Sequence, residues 1–161
     1  MESIFESEHI SFVPVSEEMV HDYLKMVNDI ENVGRYIGNK EGYSLEEELD
    51  FIRERLEASA PIFSMIEKSS GEFIGNIEFM DVKDKCGELG IAITADKQNK
   101  SYGSEAIGRM LIYGFEKLGL KRVFLKVYPE NERAIHVYEK CGFKAYDEKD
   151  EDIFMEILRE A

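Results

Sequence analysis

The chain has 161 residues, of which 43% are apolar and 34% charged, and this composition predicts a single globular domain over residues 1–161. Its formal net charge of −14 argues against a nucleic-acid partner, because phosphates would be repelled, and no apolar run approaches the ~20 residues needed to span a membrane. The N-terminus lacks the pattern of a secretory signal, and the two cysteines form neither a disulfide framework nor a metal motif, so we expect a cytoplasmic protein without a metal.

The first half of the chain predicts one strand, two helices and a three-stranded antiparallel meander. Alternating residues predict a strand at 8–15, and a serine followed by two glutamates marks the start of a helix at 17–28. Ser44 and Glu47 form a capping box for a second helix that ends near Ala58. The meander strands are expected at 62–66, 73–80 and 88–94, with an irregular segment at 32–42 and a polar turn at 81–87.

The segment between the third meander strand and the next helix is a polar turn with small residues. A helix N-terminus carries free N–H groups and the positive end of the helix dipole, which together suit a phosphate or pyrophosphate. Ser101, Gly103 and Ser104 are small enough for a close approach, and Lys97 and Lys100 add positive charge. An ordinary strand-to-helix loop explains the pattern equally well, since neither the Walker nor the dinucleotide-binding glycine pattern is present.

The second half of the chain predicts a helix, a strand, a shorter helix and a closing hairpin. The helices are expected at 103–118 and 131–142, and the strands at 122–128, 143–146 and 153–158, with the charged run 147–152 as a solvated hairpin tip. The strands at 88–94 and 122–128 flank one crossover helix, so they should be parallel neighbours. The sum is an α+β (α/β mixed) fold with helices on both faces of one sheet.

Two motifs in the second half are shared with one known family. Gln98-x-x-Ser101-x-Gly103 resembles a pyrophosphate loop, and segment 131–143 resembles an Asn…Ala…Tyr-x-x-x-Gly-Phe segment; both are typical of the GNAT superfamily of acetyl-CoA-dependent N-acetyltransferases. The order of the elements looks most like the branch that contains ribosomal-protein N-terminal and spermidine acetyltransferases. Ser101 stands where the family usually has glycine, and a positive φ at this serine would cost about 1 kcal/mol.

The resemblance implies a GNAT-like acyl-CoA N-acyltransferase fold, in which the two parallel strands splay and the pantetheine arm of acetyl-CoA lies between them. Acetyl-CoA is the implied cosubstrate, and no metal is involved. Asn131 would orient the cofactor or the neighbouring backbone, and it fits equally well as a plain helix N-cap. The implied cofactor-binding residues are Ile91, Ala92, Ile93, Gln98, Asn99, Lys100, Ser101, Tyr102, Gly103, Ser104 and Asn131.

Acetyl transfer needs a neutral amine, a donor for the oxyanion and a proton for the departing thiolate. By the resemblance, Tyr138 is the general acid, although its helical spacing also fits an ordinary core tyrosine. A backbone N–H near Ile91 would serve the oxyanion. Glu88 and Glu78 lie on adjacent strands and are the candidate bases, and each also fits a strand residue that faces solvent. His136 lies off the inward helical stripe and is expected at the surface.

The function that follows from the resemblance is the transfer of an acetyl group to a primary amine of a small molecule or peptide, by direct attack in a ternary complex. The acceptor site is expected between residues 29–45 and the C-terminal hairpin, and the acidic surface favours a polyamine or a basic peptide N-terminus. The 29–45 segment carries Glu31, Arg35, Tyr36, Glu41 and Tyr43. A non-catalytic acyl-CoA-binding or regulatory module on the same fold is the alternative, and an interaction domain without CoA is a third. A homodimer is common in such folds, and the sequence carries no signal that decides it.

Overall fold

The computed structural model describes residues 2–160, so the first and last residues of the predicted domain lie outside the described part. The strands are β1 (Phe5–Glu6), β2 (Ile10–Pro14), β3 (Ile62–Glu67), β4 (Phe73–Lys83), β5 (Cys86–Ile93), β6 (Arg122–Val127), β7 (Lys144–Lys149) and β8 (Asp152–Leu158). The helices are α1 (Val20–Val27), α2 (Leu45–Glu57), α3 (Tyr102–Glu116) and α4 (Glu132–Lys140). No helix within residues 2–160 is both long and apolar enough to cross a bilayer.

The strands form one sheet in the order β1-β2-β3-β4-β5-β6-β8-β7, which confirms the predicted mixed fold. β5 and β6 are parallel and joined by α3, while the other neighbouring strands pair antiparallel. Helices α3 and α4 pack on one face over the largest apolar cluster, and α1 and α2 cover the other face with two smaller clusters. The predicted crossover unit therefore lies at the centre of the sheet.

The parallel pair is joined at one end only. Three residues of β5 pair with β6, the last of them Glu88 with Phe124. Beyond that point β5 stays paired with β4 as far as Ile93, and β6 stays paired with β8 as far as Val127. The two central strands therefore diverge toward their carboxyl ends, which confirms the expected splay and leaves a gap in the sheet.

Two predicted polar turns are shorter than expected, because both hairpins continue into them. β4 and β5 extend into 81–87, and β7 and β8 extend into the charged run 147–152. Residues 81–85 and 147–151 have exposed side chains, so their charges do not prevent the backbones from pairing. The actual turns are Asp84-Lys85 and Asp150-Glu151, in which each residue has a positive φ.

Strand β1 was not predicted, because two residues carry too little pattern to recognise. Its Phe5 stacks on Phe12 of β2 at 4.5 Å between ring centroids and on Tyr113 of α3 at 4.8 Å. This short strand therefore packs Phe5 against the main core.

Candidate active site

A cleft of about 400 Å³ runs from the gap between β5 and β6 over the start of α3 and along α4. Every predicted cofactor-binding residue lies in its wall except Lys100. Lys100 is exposed and lies between Asn99 and Ser101, which both have left-handed backbone conformations. The predicted loop, strand and α4 residues are thus brought together in one place by the fold.

The cleft is positively charged in a protein that is otherwise acidic. Its wall contains no aspartate or glutamate from residues 2–160, although the chain has 34 acidic residues. Besides Lys97, its ionisable basic residues are Lys126, Arg133, His136 and Lys140. The last three follow one another at intervals of three and four on α4, so they share one helical face. They were not predicted as binding residues, although this spacing of basic residues in an acidic chain is visible in the sequence.

The start of α3 leaves backbone donors free at the cleft. Ser101, the N-cap residue, has φ +67° and makes no side-chain hydrogen bond to the helix. The N–H of Glu105 bonds the Ser101 carbonyl at 3.2 Å, so the three preceding N–H groups have no partner within the helix. A Cβ added at Gly103 would lie 3.6 Å from Ile93 Cδ1 and 3.7 Å from Val137 Cγ1, so this glycine faces the space between β5 and α4. Ser101 thus adopts the positive φ that costs about 1 kcal/mol.

The unpaired edge of β5 faces the same gap. The Thr94 N–H donates a hydrogen bond to the Ile74 carbonyl at 2.9 Å. In an antiparallel ladder every second residue directs its N–H and carbonyl to the same neighbouring strand, so the backbone groups of Ala92 also point toward β4. The backbone groups of Ile91 and Ile93 therefore point toward the gap. The Gln98 side chain donates to the Ile93 carbonyl at 2.9 Å, which leaves the Ile91 N–H and carbonyl and the Ile93 N–H open to a ligand.

Lys97 does not add free positive charge to the loop, contrary to the prediction. Its Nζ lies 3.0 Å from a Glu67 carboxylate oxygen and 2.7 Å from one of Glu72. Lys97 is only 6% exposed, so its amino group is held behind the loop by residues of the β3–β4 hairpin. Sequence spacing could not reveal this, because the partners are far away along the chain.

Tyr138 lies in the cleft wall on α4. Its ring packs edge-on against Phe143 at 6.0 Å between centroids, and its phenol forms no hydrogen bond within residues 2–160. Burial raises the pKa of Tyr138 to about 12. The phenol is therefore neutral near pH 7 and has its proton available for a ligand in the cleft.

The two candidate bases do not line the cleft. Phe79 and Leu89 point into the core under α3, so the alternating residues Glu78 and Glu88 face α1 and α2. Burial raises the pKa of both carboxyls, and Arg55 of α2 opposes this at Glu78, where its Nε lies 3.3 Å away. The Glu88 carboxylate makes no hydrogen bond within residues 2–160, and the residue lies where the splay begins.

Asn131 caps α4, as one of the two interpretations expected. Its side-chain oxygen accepts the Ala134 N–H at 3.4 Å, and the residue also lies in the cleft wall. His136 is exposed, as predicted, yet it borders the cleft. Asn131 can therefore cap α4 and still face a ligand in the cleft.

The expected acceptor region contributes one wall of the cleft. Of the residues named in advance, Tyr36 lies in the wall, and the guanidinium of Arg35 stacks over the Tyr36 ring at 4.5 Å. Asn32, Val33 and Ile37 also line the cleft and were not predicted. Among the described residues none from β7 or β8 reaches the wall, because both strands lie beyond β6 in the sheet.

The parallel strand pair opens around a cationic cleft that has free helix N–H groups at one end and a neutral phenol inside. These features fit one class of proteins, the acyltransferases that use a coenzyme A thioester. The profile of the acetyltransferase (GNAT) domain matches residues 9–144. This chain belongs to the GNAT acetyltransferase family.

Curated relatives agree with this assignment. The spermidine N(1)-acetyltransferase of Vibrio cholerae is 27% identical over 123 residues, which are 75% of this chain and 71% of that protein. The protein of the same name from Escherichia coli K12 is 33% identical over 87 residues, 53% of this chain and 47% of that protein. The second match therefore spans about half of the relative's length.

Solved structures share the fold. An acetyltransferase of the GNAT family from Bacillus anthracis superposes with a TM-score of 0.84 at 22% identity, covering 95% of this chain and 96% of the other. The spermidine N-acetyltransferase of Vibrio cholerae, in a complex with CoA and spermine, superposes with a TM-score of 0.85 at 22% identity, covering 93% and 95%. At this identity the likeness concerns the fold.

Proposed function

We propose that the cleft binds acetyl-CoA and that the enzyme transfers its acetyl group to a primary amine. The observation that carries the proposal is the charge of the cleft: its wall has no carboxylate from residues 2–160 and several basic side chains, in a chain of net charge −14. Such a wall attracts a polyanion and would repel a cation. A cofactor with several phosphates fits the basic side of the cleft, which β6 and α4 form, and the amine acceptor must approach from the opposite side, whose residues Asn32, Val33, Tyr36 and Ile37 carry no charge.

The free N–H groups at the start of α3 suit the pyrophosphate, since the helix dipole and the bare Cα of Gly103 favour a close anion. The open backbone groups of Ile91 and Ile93 suit the amides of a pantetheine arm, which pairs with them as an added strand would. Arg133 and Lys140 border the same path on α4. These features are continuous along the cleft, as one elongated ligand requires.

Acetyl-CoA, when bound, supplies an acetyl thioester. We assign the Ile91 N–H as the donor that stabilises negative charge on the reacting carbonyl oxygen. We assign Glu88 as the base that accepts the proton of the amine through water. Its carboxylate lies at the base of the splay on the α1–α2 side of the sheet, outside the cleft wall, so a water molecule would have to connect it to the amine. Glu78 is the weaker candidate, since Arg55 already neutralises part of its charge.

Tyr138 would donate a hydrogen bond to the departing sulfur from the α3–α4 face of the sheet, opposite to Glu88. With a pKa of about 12, its phenol remains protonated. An ordinary thiol has a pKa of roughly 8.5, so full proton transfer to the thiolate would be uphill by about 5 kcal/mol. We therefore assign Tyr138 as a hydrogen-bond donor that stabilises the developing charge, with complete protonation following from solvent.

The acceptor is proposed to be a polyamine or a basic peptide N-terminus. The acidic surface attracts such cations, and two relatives carry the name spermidine N(1)-acetyltransferase. The segment with Asn32 and Tyr36 would form the acceptor side of the cleft. A cytoplasmic setting, in which the free thiols of Cys86 and Cys141 persist, belongs to the same proposal.

The experiment is an acetyl-CoA turnover screen over polyamines, peptides with free N-termini, aminoglycosides and amino acids, read as release of the CoA thiol. We expect turnover with a primary amine and the fastest rates among the cationic acceptors. Binding of CoA in calorimetry without turnover of any amine would favour the non-catalytic module. No binding of CoA would contradict the assignment of the cleft.

A further inference from the structure

Glu67, the last residue of β3, lies behind the cofactor loop and contacts both of its ends. Its carboxylate accepts hydrogen bonds from Lys97 Nζ at 3.0 Å and from the Tyr102 hydroxyl. Lys97 immediately precedes the loop residues 98–101, and Tyr102 immediately follows them. One side chain of the β3–β4 hairpin thus joins the two flanks of a loop that lies 30 or more residues away.

The Glu67 carboxylate is buried and accepts hydrogen bonds from three side chains. Glu67 is 7% exposed and Lys97 is 6% exposed. Ser70 donates a further hydrogen bond to Glu67 at 2.5 Å. Hydrogen bonds from Ser70, Tyr102 and Lys97 lower the pKa of Glu67 to about 2, so the carboxyl group is ionised near neutral pH. A buried charge with three donors is a rigid point in the structure.

The loop between the two flanks has a backbone that needs such a support. Asn99 has φ +60° and Ser101 has φ +67°, so two of four residues adopt a left-handed conformation without being glycine. Conformations of this kind persist where the surrounding structure holds them. Within the loop, the Gln98 side chain provides two further links, to the Ile93 carbonyl at 2.9 Å and to the Asn32 carbonyl at 3.3 Å. The buried carboxylate of Glu67 adds an anchor at each end of the loop.

We propose that Glu67 is a positioning residue for coenzyme A: by holding Lys97 and Tyr102 it keeps the loop 98–101 in its binding conformation before the cofactor arrives. The inference rests on the proposed role of this loop. Glu67 is absent from the cleft wall, whereas Lys97 and Tyr102 belong to it, so Glu67 acts through these two residues. A preformed loop binds more tightly because less conformational freedom is lost on binding.

The test is Glu67→Gln, which keeps the shape of the side chain and removes its charge. We expect the Kd of CoA to rise about tenfold, with kcat at saturating acetyl-CoA within about twofold of the wild type. Amide hydrogen exchange at residues 98–104 should accelerate in the free protein and return to the wild-type rate at saturating CoA. This recovery on binding distinguishes positioning of the loop from a general loss of stability.

Glu72→Gln is the matched control, because Glu72 contacts the same amino group from an exposed position and does not reach Tyr102. We expect its CoA affinity to stay within about twofold. Tyr102→Phe keeps the buried ion pair between Lys97 and Glu67 and removes only the hydrogen bond from the start of α3 to Glu67. We therefore expect about a threefold loss of CoA affinity. This variant tests the proposal if Glu67→Gln does not fold.

A lower melting temperature in Glu67→Gln with unchanged CoA affinity and unchanged exchange of the loop would overturn the proposal. A fall in kcat at unchanged KM would overturn it as well. If the wild type did not bind CoA, the proposed function would fail by itself. Faster exchange of the loop in the unliganded variant would then still test whether Glu67 holds it.

Discussion

Gly103 is the residue at which the assignment of the cleft is tested most directly, by the substitution Gly103→Glu. A Cβ at this position would lie 3.6 Å from Ile93 Cδ1 and 3.7 Å from Val137 Cγ1, which are ordinary van der Waals distances. The new side chain therefore fits the fold, but its carboxylate extends into the cleft. Because position 103 is in the first turn of α3, a glutamate there also favours the helix, by about 0.3–1 kcal/mol.

The loss of affinity can be worked out from charge. Two unit charges at roughly 5 Å repel by about 3 kcal/mol at an effective dielectric constant of roughly 20. A pyrophosphate at the start of α3 would meet at least one such repulsion, so we expect the Kd of CoA to rise at least ~100-fold. The melting temperature should stay level or rise.

Calorimetric titration with CoA and a thermal melt measure the two quantities separately. Gly108→Glu is the matched control: it adds the same charge to the same helix, and its Cβ meets no atom within 4 Å. We expect this variant to bind CoA within about twofold of the wild type. Unchanged binding by Gly103→Glu, or an equal loss in Gly108→Glu, would refute the assignment of the loop.

Three further variants test the rest of the site. Tyr138→Phe should lower kcat by roughly 10- to 100-fold and leave the Kd of CoA unchanged in the same titration, since only the hydroxyl is lost; an unchanged kcat would remove Tyr138 from the chemistry. Burial raises the pKa of Glu88, and a base works only when ionised, so kcat/KM of the wild type should fall as the pH drops through this raised pKa. The pH–rate profile of Glu88→Gln should lack this acidic fall, and an unchanged acidic fall in the variant would point to another base. Lys140→Ala should weaken CoA binding by about fivefold at low salt and by less at high salt. Lys144 lies outside the cleft, so Lys144→Ala should leave the Kd of CoA unchanged at both salt concentrations. Equal effects of the two variants would mean that only the net charge of the protein matters.

Local patterns predicted the elements well where neighbouring residues carry the signal. The capping box of α2 is present with both of its hydrogen bonds, between Ser44 and Glu47. Asn131 caps α4, and the crossover around α3 yields a parallel pair. The bounds of two turns were wrong, those of the β4–β5 and β7–β8 hairpins, because exposed charged residues permit strand pairing as readily as a turn.

The site was predicted less completely than the fold. The resemblance placed the loop and β5 residues together, and the cleft wall contains nearly all of them. It did not reveal that Tyr138 and Glu88 approach the gap from opposite faces of the sheet. Nor did it reveal the basic face of α4, since its residues belong to an exposed helix surface whose partner is not visible in the sequence.

The sequence by itself determined the order of the helices and strands and their caps, because these follow from residues within a few positions of one another. The order of the elements in turn predicted the parallel crossover. Only the tertiary structure decided where the charges go. Lys97 turns away from the loop to Glu67, 30 residues earlier, and Tyr102 meets the same carboxylate from 35 residues away. Contacts over such separations depend on how the elements pack, and packing is a property of the whole chain.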